Sequence, residues 1–247
     1  MIPALLIGRA GSTGFTNKNV SLLLNRPIML YPILAAQNTK YIDKIFLSSD
    51  SEEMKSIAEK HGVINIARPD FLATNKALAE DAFQHGYMEI KKTTNEDIEM
   101  VVLLFCNGAT ISPGIIDAGI KALRDKSDFD SAATVSLYNM WSPLRAKKII
   151  DDELKPFIPL ELFENASCDR GSQGDTYFAD CSAFVVRPKC LDDLNYGDLP
   201  FRWMGKRVLP LKQWGGLDVD FEWQVGQVEY WLKKHGFTET KTPYDEK

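Results

Sequence analysis

The sequence predicts an α/β protein with a doubly wound, mostly parallel sheet. Apolar runs such as "PALLI" and "KIFLSS" are too short for helices, and they alternate with longer segments whose apolar residues recur every three or four positions. The run "MVVLLF" is apolar throughout, as in strands that are buried on both faces of a parallel sheet. Strands that alternate with helices favour parallel pairing through crossover helices. The chain length fits a single domain over residues 1–247.

Predicted strands and helices alternate in order up to residue 138. Strands are predicted at residues 3–7, 44–49, 63–67, 100–105 and 131–138. Helices are predicted at residues 28–38, 51–62 and 113–126, and the second of these ends at Gly62. In the third helix, Ile116, Ile120 and Leu123 recur at helical spacing, which predicts an amphipathic helix packed on the sheet.

The pattern changes between residues 141 and 175. Prolines, short apolar pairs and charges fill this stretch without a clear crossover helix, so we predict an inserted hairpin or arm. A strand resumes at residues 176–186, and short strands are predicted at residues 206–211 and 215–220. The final helix is predicted at residues 221–236, because Val225, Val228 and Trp231 recur at helical spacing before Gly236 ends it.

Composition and charge argue against several classes of protein. A formal net charge of -5 and a pI near 5.3, without a long basic run, argue against nucleic-acid binding. No apolar run approaches the roughly 20 residues of a membrane-spanning helix, and "MIPALLIG" lacks the basic residues of a secretion signal. The cysteines form no CxxC pair and the histidines lie on separate segments, which disfavours disulfides and zinc. We therefore expect a cytoplasmic protein without a nucleic-acid or membrane partner.

The stretch "LIGRAGSTGFTNKNV", residues 6–20, follows the first predicted strand. Its glycines are spaced G-x-x-G-x-x-G, which matches neither the dinucleotide fingerprint nor the P-loop. The stretch does offer a flexible backbone with Arg9, Ser12 and Lys18 at the carboxyl end of a strand, where open α/β sheets bind ligands. A triphosphate cradle and a glycine turn with two solvated cations both fit these residues.

Two aspartates lie in "LDVDFEW", ahead of the last predicted helix. Because side chains alternate along a strand, Asp218 and Asp220 are predicted to point to the same side and to share one cation. Mg2+ prefers one or two carboxylates together with phosphate oxygens and water, so this pair is a candidate magnesium site. The alternative is that Asp220 caps the last helix and Asp218 is exposed.

Two further segments contain candidate residues. In "SSDSEEM", Asp50 and Glu53 have the spacing of a capping box, which favours a structural role at the start of a helix. In "ARPDFLATN", Arg68 lies in a loop after a predicted strand. There it fits either a hydrogen bond to a base or phosphate, or a solvated surface charge.

Together these motifs resemble those of the cytidylyltransferases that activate sialic acid and related acidic sugars as CMP-sugars. The family's opening A-R-G-G-S-K-G-x-P-x-K-N is similar to "GRAGSTGFTNKN", its STDSEEI to "SSDSEEM" and its RPxxLAxD to "RPDFLATN". Its aspartate pair before the last helix resembles "LDVD", and its R-Q-x-x-P-x-x-Y-x-x-N-G-A-x-Y resembles "SQGDTYFADCSAFVV". The likeness spans nearly the whole chain.

The resemblance implies a sheet of the nucleotide-diphospho-sugar transferase type, with a dimerisation arm at residues 141–175 and a homodimer. It implies transfer of CMP from CTP to an acidic keto-sugar with release of pyrophosphate, with Mg2+ as the cofactor. Catalytic roles fall to Arg9, Lys18, Asp218 and Asp220, and the two aspartates are the implied metal ligands. The implied nucleotide-binding residues are Gly8, Arg9, Gly11, Ser12, Thr13, Lys18, Asn19, Arg68 and Asn107. The candidates for binding the sugar are Arg145, Lys147, Arg170, Gln173 and Tyr177.

Some positions depart from the family's pattern. Thr13 replaces a lysine near the phosphates, Phe105 replaces a glutamine that contacts the base, and Asp180 replaces the usual asparagine. Two alternatives therefore stay open. One is a sugar-nucleotide-dependent glycosyltransferase with a D-x-D metal site, although such a pair usually lies in the middle of the chain. The other is a non-catalytic nucleotide-binding homologue.

Overall fold

The computed structural model describes residues 1–11, 14–163 and 167–245. Its strands are β1 (Pro3–Ile7), β2 (Leu22–Leu23), β3 (Arg26–Pro27), β4 (Lys44–Ser49), β5 (Ile64–Ala67), β6 (Val101–Phe105), β7 (Ser131–Leu137), β8 (Lys147–Ile150), β9 (Glu153–Pro156), β10 (Tyr177–Val186) and β11 (Val208–Gln213). Its α-helices are α1 (Leu30–Gln37), α2 (Glu52–Lys60), α3 (Ala79–Thr94), α4 (Pro113–Asp125), α5 (Lys189–Asp192) and α6 (Val225–Lys234).

A seven-stranded sheet in the order β11-β7-β10-β6-β1-β4-β5 forms the centre of the protein. Strand β1 pairs in parallel with β4 and β6, β4 with β5, and β7 with β11. Strand β10 runs antiparallel to both β6 and β7. The prediction of a mostly parallel α/β sheet is therefore confirmed.

Helices cover both faces of this sheet because its central strands are apolar on both sides. In β1, Ala4 and Leu6 pack in one cluster with residues of α1, α2 and α4. Leu5 and Ile7 point to the opposite face and pack in a second cluster with residues of α3. Strands β1, β4, β5 and β6 run in the same direction, so the loops that follow them meet at one edge of the sheet.

Helix α3 is an element that the sequence analysis does not predict. Its buried residues Phe83, Tyr87 and Ile90 do follow helical spacing, but Gly86 lies among them and weakens the helical pattern. The structure explains this glycine, because a Cβ there would lie 2.9 Å from the Leu5 side chain of β1. None of the helices in the described part of the chain combines the length and apolar character needed to cross a membrane.

The predicted strand at residues 215–220 is wrong, and this segment is irregular. Its backbone amides do not pair with a neighbouring strand. Instead, Gly216 N donates to Ser136 Oγ, Leu217 N to Thr110 Oγ1, and Val219 N to the backbone oxygen of Asn107. The last helix also starts later than predicted, since a 3-10 turn at Glu222–Gln224 precedes α6.

Residues 141–175 contain a two-stranded hairpin, formed by β8 and β9. Every residue in the two strands is exposed. Ile149 and Leu154 lie opposite each other in this hairpin, with exposures of 75% and 72%. Exposed apolar residues on a projecting hairpin fit the predicted arm, and its role in dimerisation stays a prediction.

Candidate functional site

A cleft of about 160 Å³ opens at the edge of the sheet where β1, β5 and β6 end. Predicted nucleotide-binding residues from three separate segments line it, namely Gly8, Arg9, Lys18, Asn19, Arg68 and Asn107. Gly11 lies in the same loop as Gly8 and has a φ of 71°, a conformation that favours glycine. Ser12 and Thr13 lie outside the described residues.

The loop that follows β1 is held in place by contacts at both of its sides. A Cβ at Gly8 would lie 2.4 Å from Met54 Cε and 2.8 Å from Cys106 Sγ, so this position accepts no side chain without a shift of its neighbours. The guanidinium of Arg9 donates to Asn75 Oδ1 at 2.5 Å, which links the loop to the segment after Arg68. The loop is therefore attached to the rest of the cleft by specific contacts.

Asp50 contributes to the same loop, and this differs from the predicted capping box. The helix cap of α2 is Ser51, whose Oγ accepts a hydrogen bond from Met54 N. The Asp50 carboxylate instead accepts a hydrogen bond of 2.9 Å from Ala10 N. The predicted capping role of Asp50 is therefore wrong: its carboxylate binds the loop after β1 and does not cap the helix.

Asp218 and Asp220 lie together, although the segment is not a strand. The side-chain amide of Asn107 donates to Asp218 Oδ2 at 3.2 Å and to Asp220 Oδ1 at 3.4 Å. The same Nδ2, whose two hydrogens are shared among these acceptors, also lies 3.0 Å from the backbone oxygen of Val219, and the backbone oxygen of Asn107 accepts from Val219 N. Asn107 therefore holds both carboxylates at the end of β6.

Residues 215–220, called the acidic segment below, directly contact the loop after β1. Lys18 Nζ lies 2.5 Å from Asp220 Oδ1, and a Cβ at Gly14 would lie 2.7 Å from the Asp220 backbone oxygen. The alternative in which Asp220 caps the last helix is not what the structure shows, because its carboxylate pairs with Lys18 while Gln224 Oε1 accepts from the amides of Asp220 and Phe221. Residues 202 positions apart in sequence thus form one site.

The electrostatics of the pair fit a divalent cation. Burial and the neighbouring Asp220 carboxylate raise the pKa of Asp218 to about 6, against the opposing effects of Lys18 and of the hydrogen bond from Asn107. A second cation beside the pair would relieve this repulsion. Within the described ranges, no group of three or more His, Cys, Asp or Glu residues is arranged to hold a metal. Two carboxylates match the protein share of a magnesium ion that also binds phosphate oxygens.

The raised pKa predicts how stability depends on pH when divalent cations are absent. The folded-state pKa of Asp218 exceeds its ordinary value of 3.8. The contribution of this group to the free energy of unfolding is therefore fully present below pH 3.8 and is lost as the pH rises through about 6. We expect the free energy of unfolding of the wild type, minus that of Asp218→Asn, to fall by ~2 kcal/mol across this window. Urea denaturation in EDTA at a series of pH values measures this difference. A difference that does not change with pH would contradict the prediction.

Arg68 is a buried cation in the cleft, not a solvated surface charge. The residue is only 9% exposed, and its buried Nε has no hydrogen-bond partner among the described residues. Burial lowers the pKa of Arg68, while the nearby Asp50 carboxylate opposes this effect. A buried guanidinium with free donors is costly unless a ligand supplies acceptors. Its place in the cleft therefore favours binding of a phosphate or a base carbonyl.

Phe105 forms an apolar part of the cleft. Its ring lies edge-on to Phe83 with a centroid distance of 5.2 Å and to Trp203 at 6.2 Å. These contacts make Phe105 part of the aromatic packing between α3 and the sheet. A side chain that cannot hydrogen-bond therefore stands where the resemblance places a glutamine.

The candidate sugar-binding residues lie apart from this cleft. Arg145 Nε donates to Gln173 Oε1 at 3.1 Å, so these two residues are brought together. Lys147 is exposed on β8, and Tyr177 begins β10, where its ring is 4.8 Å from Lys212 Nζ. None of these four lines the cleft, and the side chain of Arg170 is outside the described part of the structure.

Sequence reasoning missed several contacts that shape the site. It assigned Asp50 only a capping role at a helix start, gave Asn107 no role in holding carboxylates, and gave Asn75 no role. Asp50 follows β4 directly and Asn107 lies two residues after the end of β6, and polar residues at that edge of a parallel sheet are a general signal for a site. That signal identifies the edge but not the partner of each side chain.

The fold and cleft place this protein among the open α/β proteins that bind ligands where their parallel strands end. The chain belongs to the cytidylyltransferase family, whose sequence profile matches residues 3–153. The N-acylneuraminate cytidylyltransferase of Escherichia coli is 37% identical over 85 residues, which cover 34% of this chain and 20% of that protein. The pseudaminic acid cytidylyltransferase of Campylobacter jejuni is 32% identical over 136 residues, covering 54% of this chain and 56% of that protein. The matched regions thus span about a fifth to about half of these relatives.

Solved structures show a similar fold. A CMP:2-keto-3-deoxy-manno-octonic acid synthetase complexed with CTP has a TM-score of 0.66 and 11% identity, over 94% of this chain and 98% of that one. A 4-diphosphocytidyl-2C-methyl-D-erythritol synthase from Anaerococcus prevotii has a TM-score of 0.58 and 15% identity, over the same shares of the two chains. At these identities the likeness establishes the fold alone.

Proposed function

We propose that this protein transfers CMP from CTP to the anomeric hydroxyl of an acidic keto-sugar and releases pyrophosphate. The observation that supports this most is the contact between Lys18 and Asp220, which joins the loop after β1 to the acidic segment before α6. Cations line the cleft, and the carboxylate pair lies beside it, in contact with the lining residues Lys18 and Asn107. This arrangement suits a nucleoside triphosphate bound with a divalent cation. The family membership and the names of the relatives support the choice of CTP and of a sialic-acid-like or pseudaminic-acid-like acceptor.

The roles follow from the charge of each side chain. Asp218 and Asp220 would hold Mg2+, and Asn107 keeps the two carboxylates together. When bound, Mg2+ offsets negative charge on the phosphates and favours loss of the hydroxyl proton. Arg9 and Lys18 offset the charge that develops as pyrophosphate leaves.

The reaction needs no covalent enzyme intermediate. The oxygen of the sugar hydroxyl forms a bond to the α-phosphorus of CTP, and the bond from this phosphorus to the bridging oxygen breaks. Pyrophosphate leaves with the electron pair of that bond, and the hydroxyl proton passes to solvent. The protein contributes position and electrostatic stabilisation, which are the main effects in phosphoryl transfer.

The arm has a role in the proposal, which is to form a homodimer and to bring residues that bind the sugar to the cleft of the partner. None of Arg145, Lys147, Gln173 and Tyr177 lines the cleft of its own chain, while the hairpin exposes apolar residues. A homodimer formed through this hairpin would cover those apolar residues and bring the polar residues of one arm near the cleft of its partner. The cations Arg145 and Lys147 would then pair with the carboxylate of the sugar.

A pyrophosphate-release assay tests the proposed function. The purified protein is mixed with Mg2+, each of the four ribonucleoside triphosphates, and a panel of sialic, legionaminic, pseudaminic and 3-deoxy-octulosonic acids. We expect release only with CTP and one class of acid. Release of a nucleoside diphosphate from a sugar donor would favour a glycosyltransferase instead. Calorimetric binding of CTP without turnover on any acid would favour a non-catalytic homologue.

A further inference from the structure

A buried carboxylate that none of the proposed roles uses lies beneath the acidic segment. Asp180 is only 5% exposed, and it follows the part of β10 that pairs with the end of β7. The register of that pairing shifts between Ala179 and Phe184, and Cys181 within the shift has a φ of 58°. The shift in register, together with this left-handed conformation at a residue other than glycine, indicates a bulge. The bulge interrupts the alternation of β10 next to Asp180.

The carboxylate of Asp180 accepts three hydrogen bonds from neutral donors. Ser136 Oγ donates to Oδ2 at 2.7 Å, Gln213 Nε2 donates to the same oxygen at 3.0 Å, and Ser182 N donates to Oδ1 at 3.2 Å. Both oxygens therefore act as acceptors. An asparagine would place a donor amide against one of these donors in either orientation, so the acid is required for the full set of bonds.

These bonds lead directly to the segment that ends in the aspartate pair. Ser136 Oγ, which donates to Asp180, accepts from Gly216 N at 2.9 Å. Thr110 Oγ1 accepts from Leu217 N at 2.8 Å and lies 3.1 Å from Ser182 Oγ. The two backbone amides immediately before Asp218 are therefore bound to side chains that touch Asp180 or its neighbour Ser182.

Packing at Gly216 reinforces the connection. A Cβ at this glycine would lie 2.1 Å from Asp180 Oδ2 and 2.5 Å from Gln213 Nε2. The backbone of the acidic segment thus packs directly against the Asp180 carboxylate. Burial raises the pKa of the Cys181 thiol, and the charges of Asp218, Asp180 and Asp220 add to this effect, so Asp180 is near enough to the pair to act on the same group.

We propose that Asp180 is a positioning residue, which fixes the backbone of residues 216–217 so that the carboxylates of Asp218 and Asp220 stay together at Asn107, beside the cleft. Its buried negative charge also favours a cation at the pair. The inference rests on the proposed magnesium site. Replacing a residue that holds metal ligands in place commonly lowers metal affinity by about 10-fold or more.

The test measures how much Mg2+ strengthens CTP binding. The dissociation constant of CTP is measured by calorimetry in EDTA and in saturating Mg2+, and the ratio of the two values is compared between variants. We expect Asp180→Asn to reduce this ratio about 10-fold while changing the value in EDTA by less than about twofold. Ser136→Ala breaks the link to Gly216 N but keeps the charge of Asp180, and we expect a smaller loss in the same direction.

Asp130→Asn is the matched control. Asp130 is also a buried carboxylate, 1% exposed, and it accepts hydrogen bonds from Lys206 N and Arg207 N. It lies just before β7, at the end of that strand opposite to Ser136. Its replacement should lower stability and leave the ratio unchanged. A wild-type ratio in Asp180→Asn, or an equal loss in Asp130→Asn, would overturn the proposal.

Failure of the proposed magnesium site can be distinguished from failure of the proposed role of Asp180. If Mg2+ does not strengthen CTP binding even in the wild type, the proposed function fails at that step. Hydrogen exchange of the Gly216 and Leu217 amides then decides the role of Asp180. Faster exchange of these two amides in Asp180→Asn but not in Asp130→Asn supports positioning, and unchanged exchange overturns it.

Discussion

Asp218→Asn is expected to reduce magnesium-dependent pyrophosphate release by about 1,000-fold without unfolding the protein. Asparagine has nearly the same shape, and its oxygen can still accept the hydrogen bond that Asn107 donates to Asp218. The change removes one of the two negative charges that would hold the cation. It also removes a buried charge: burial and the repulsion from Asp220 together raise the pKa of Asp218, so we expect the melting temperature to stay the same or rise.

The measurement combines a pyrophosphate assay over a range of Mg2+ concentrations with thermal unfolding. Glu222→Gln is a suitable control, because Glu222 is an exposed acid two positions beyond Asp220. It removes the same charge from the same segment without changing the pair, and we expect near wild-type activity. Substantial activity in Asp218→Asn would exclude Asp218 from the metal site.

Arg68→Met is expected to weaken CTP binding about 10- to 100-fold and to stabilise the protein at the same time. Methionine keeps most of the length of the side chain but has neither the charge nor the donors. In the free protein Nε of Arg68 is buried without a partner in the described residues, so replacing the guanidinium removes a desolvation cost. We expect a gain of ~1 kcal/mol in the free energy of unfolding.

The opposite signs of the two effects distinguish a ligand-binding arginine from a structural one. Arg187→Met is the matched control, because the Arg187 guanidinium donates to the backbone oxygens of Phe129 and Leu123. This replacement should lower stability and leave CTP affinity unchanged. Calorimetry and urea denaturation measure the two quantities, and a loss of stability in Arg68→Met would show that the guanidinium supports the fold instead.

Hydrophobic patterns were enough to predict most of the sheet. The apolar runs at residues 3–7 and 100–105 are strands with nearly the predicted bounds, because a strand buried on both faces needs apolar residues at every position. The strand at residues 44–49 also has the predicted bounds, although only its centre is apolar. Helix α3 was not predicted because Gly86 lowers the helix propensity of its segment. The glycine is needed there because the helix packs closely against Leu5. The segment at 215–220 alternates like a strand, yet its amides bind Ser136, Thr110 and Asn107.

The residues of the candidate site were predictable by type but not by partner. Arg9, Lys18, Arg68 and the aspartate pair stand out because their charges and positions suit a triphosphate. Local sequence does not reveal that Lys18 pairs with Asp220, since 202 positions separate them. The same holds for Asp50, whose capping-box spacing points to a helix start while its carboxylate binds Ala10 N.

The sequence by itself determined the α/β class, the order of most elements, the family and the chemical character of the cleft, because these depend on apolar periodicity and on residue types at short spacing. Only the tertiary structure decided which polar groups meet: Asn107 with both aspartates, and Asp180 beneath the segment that precedes them. The physical reason is that a buried polar group must find a hydrogen-bond partner wherever the packed strands bring one within reach. That partner is set by the path of the whole chain, and no local pattern encodes it.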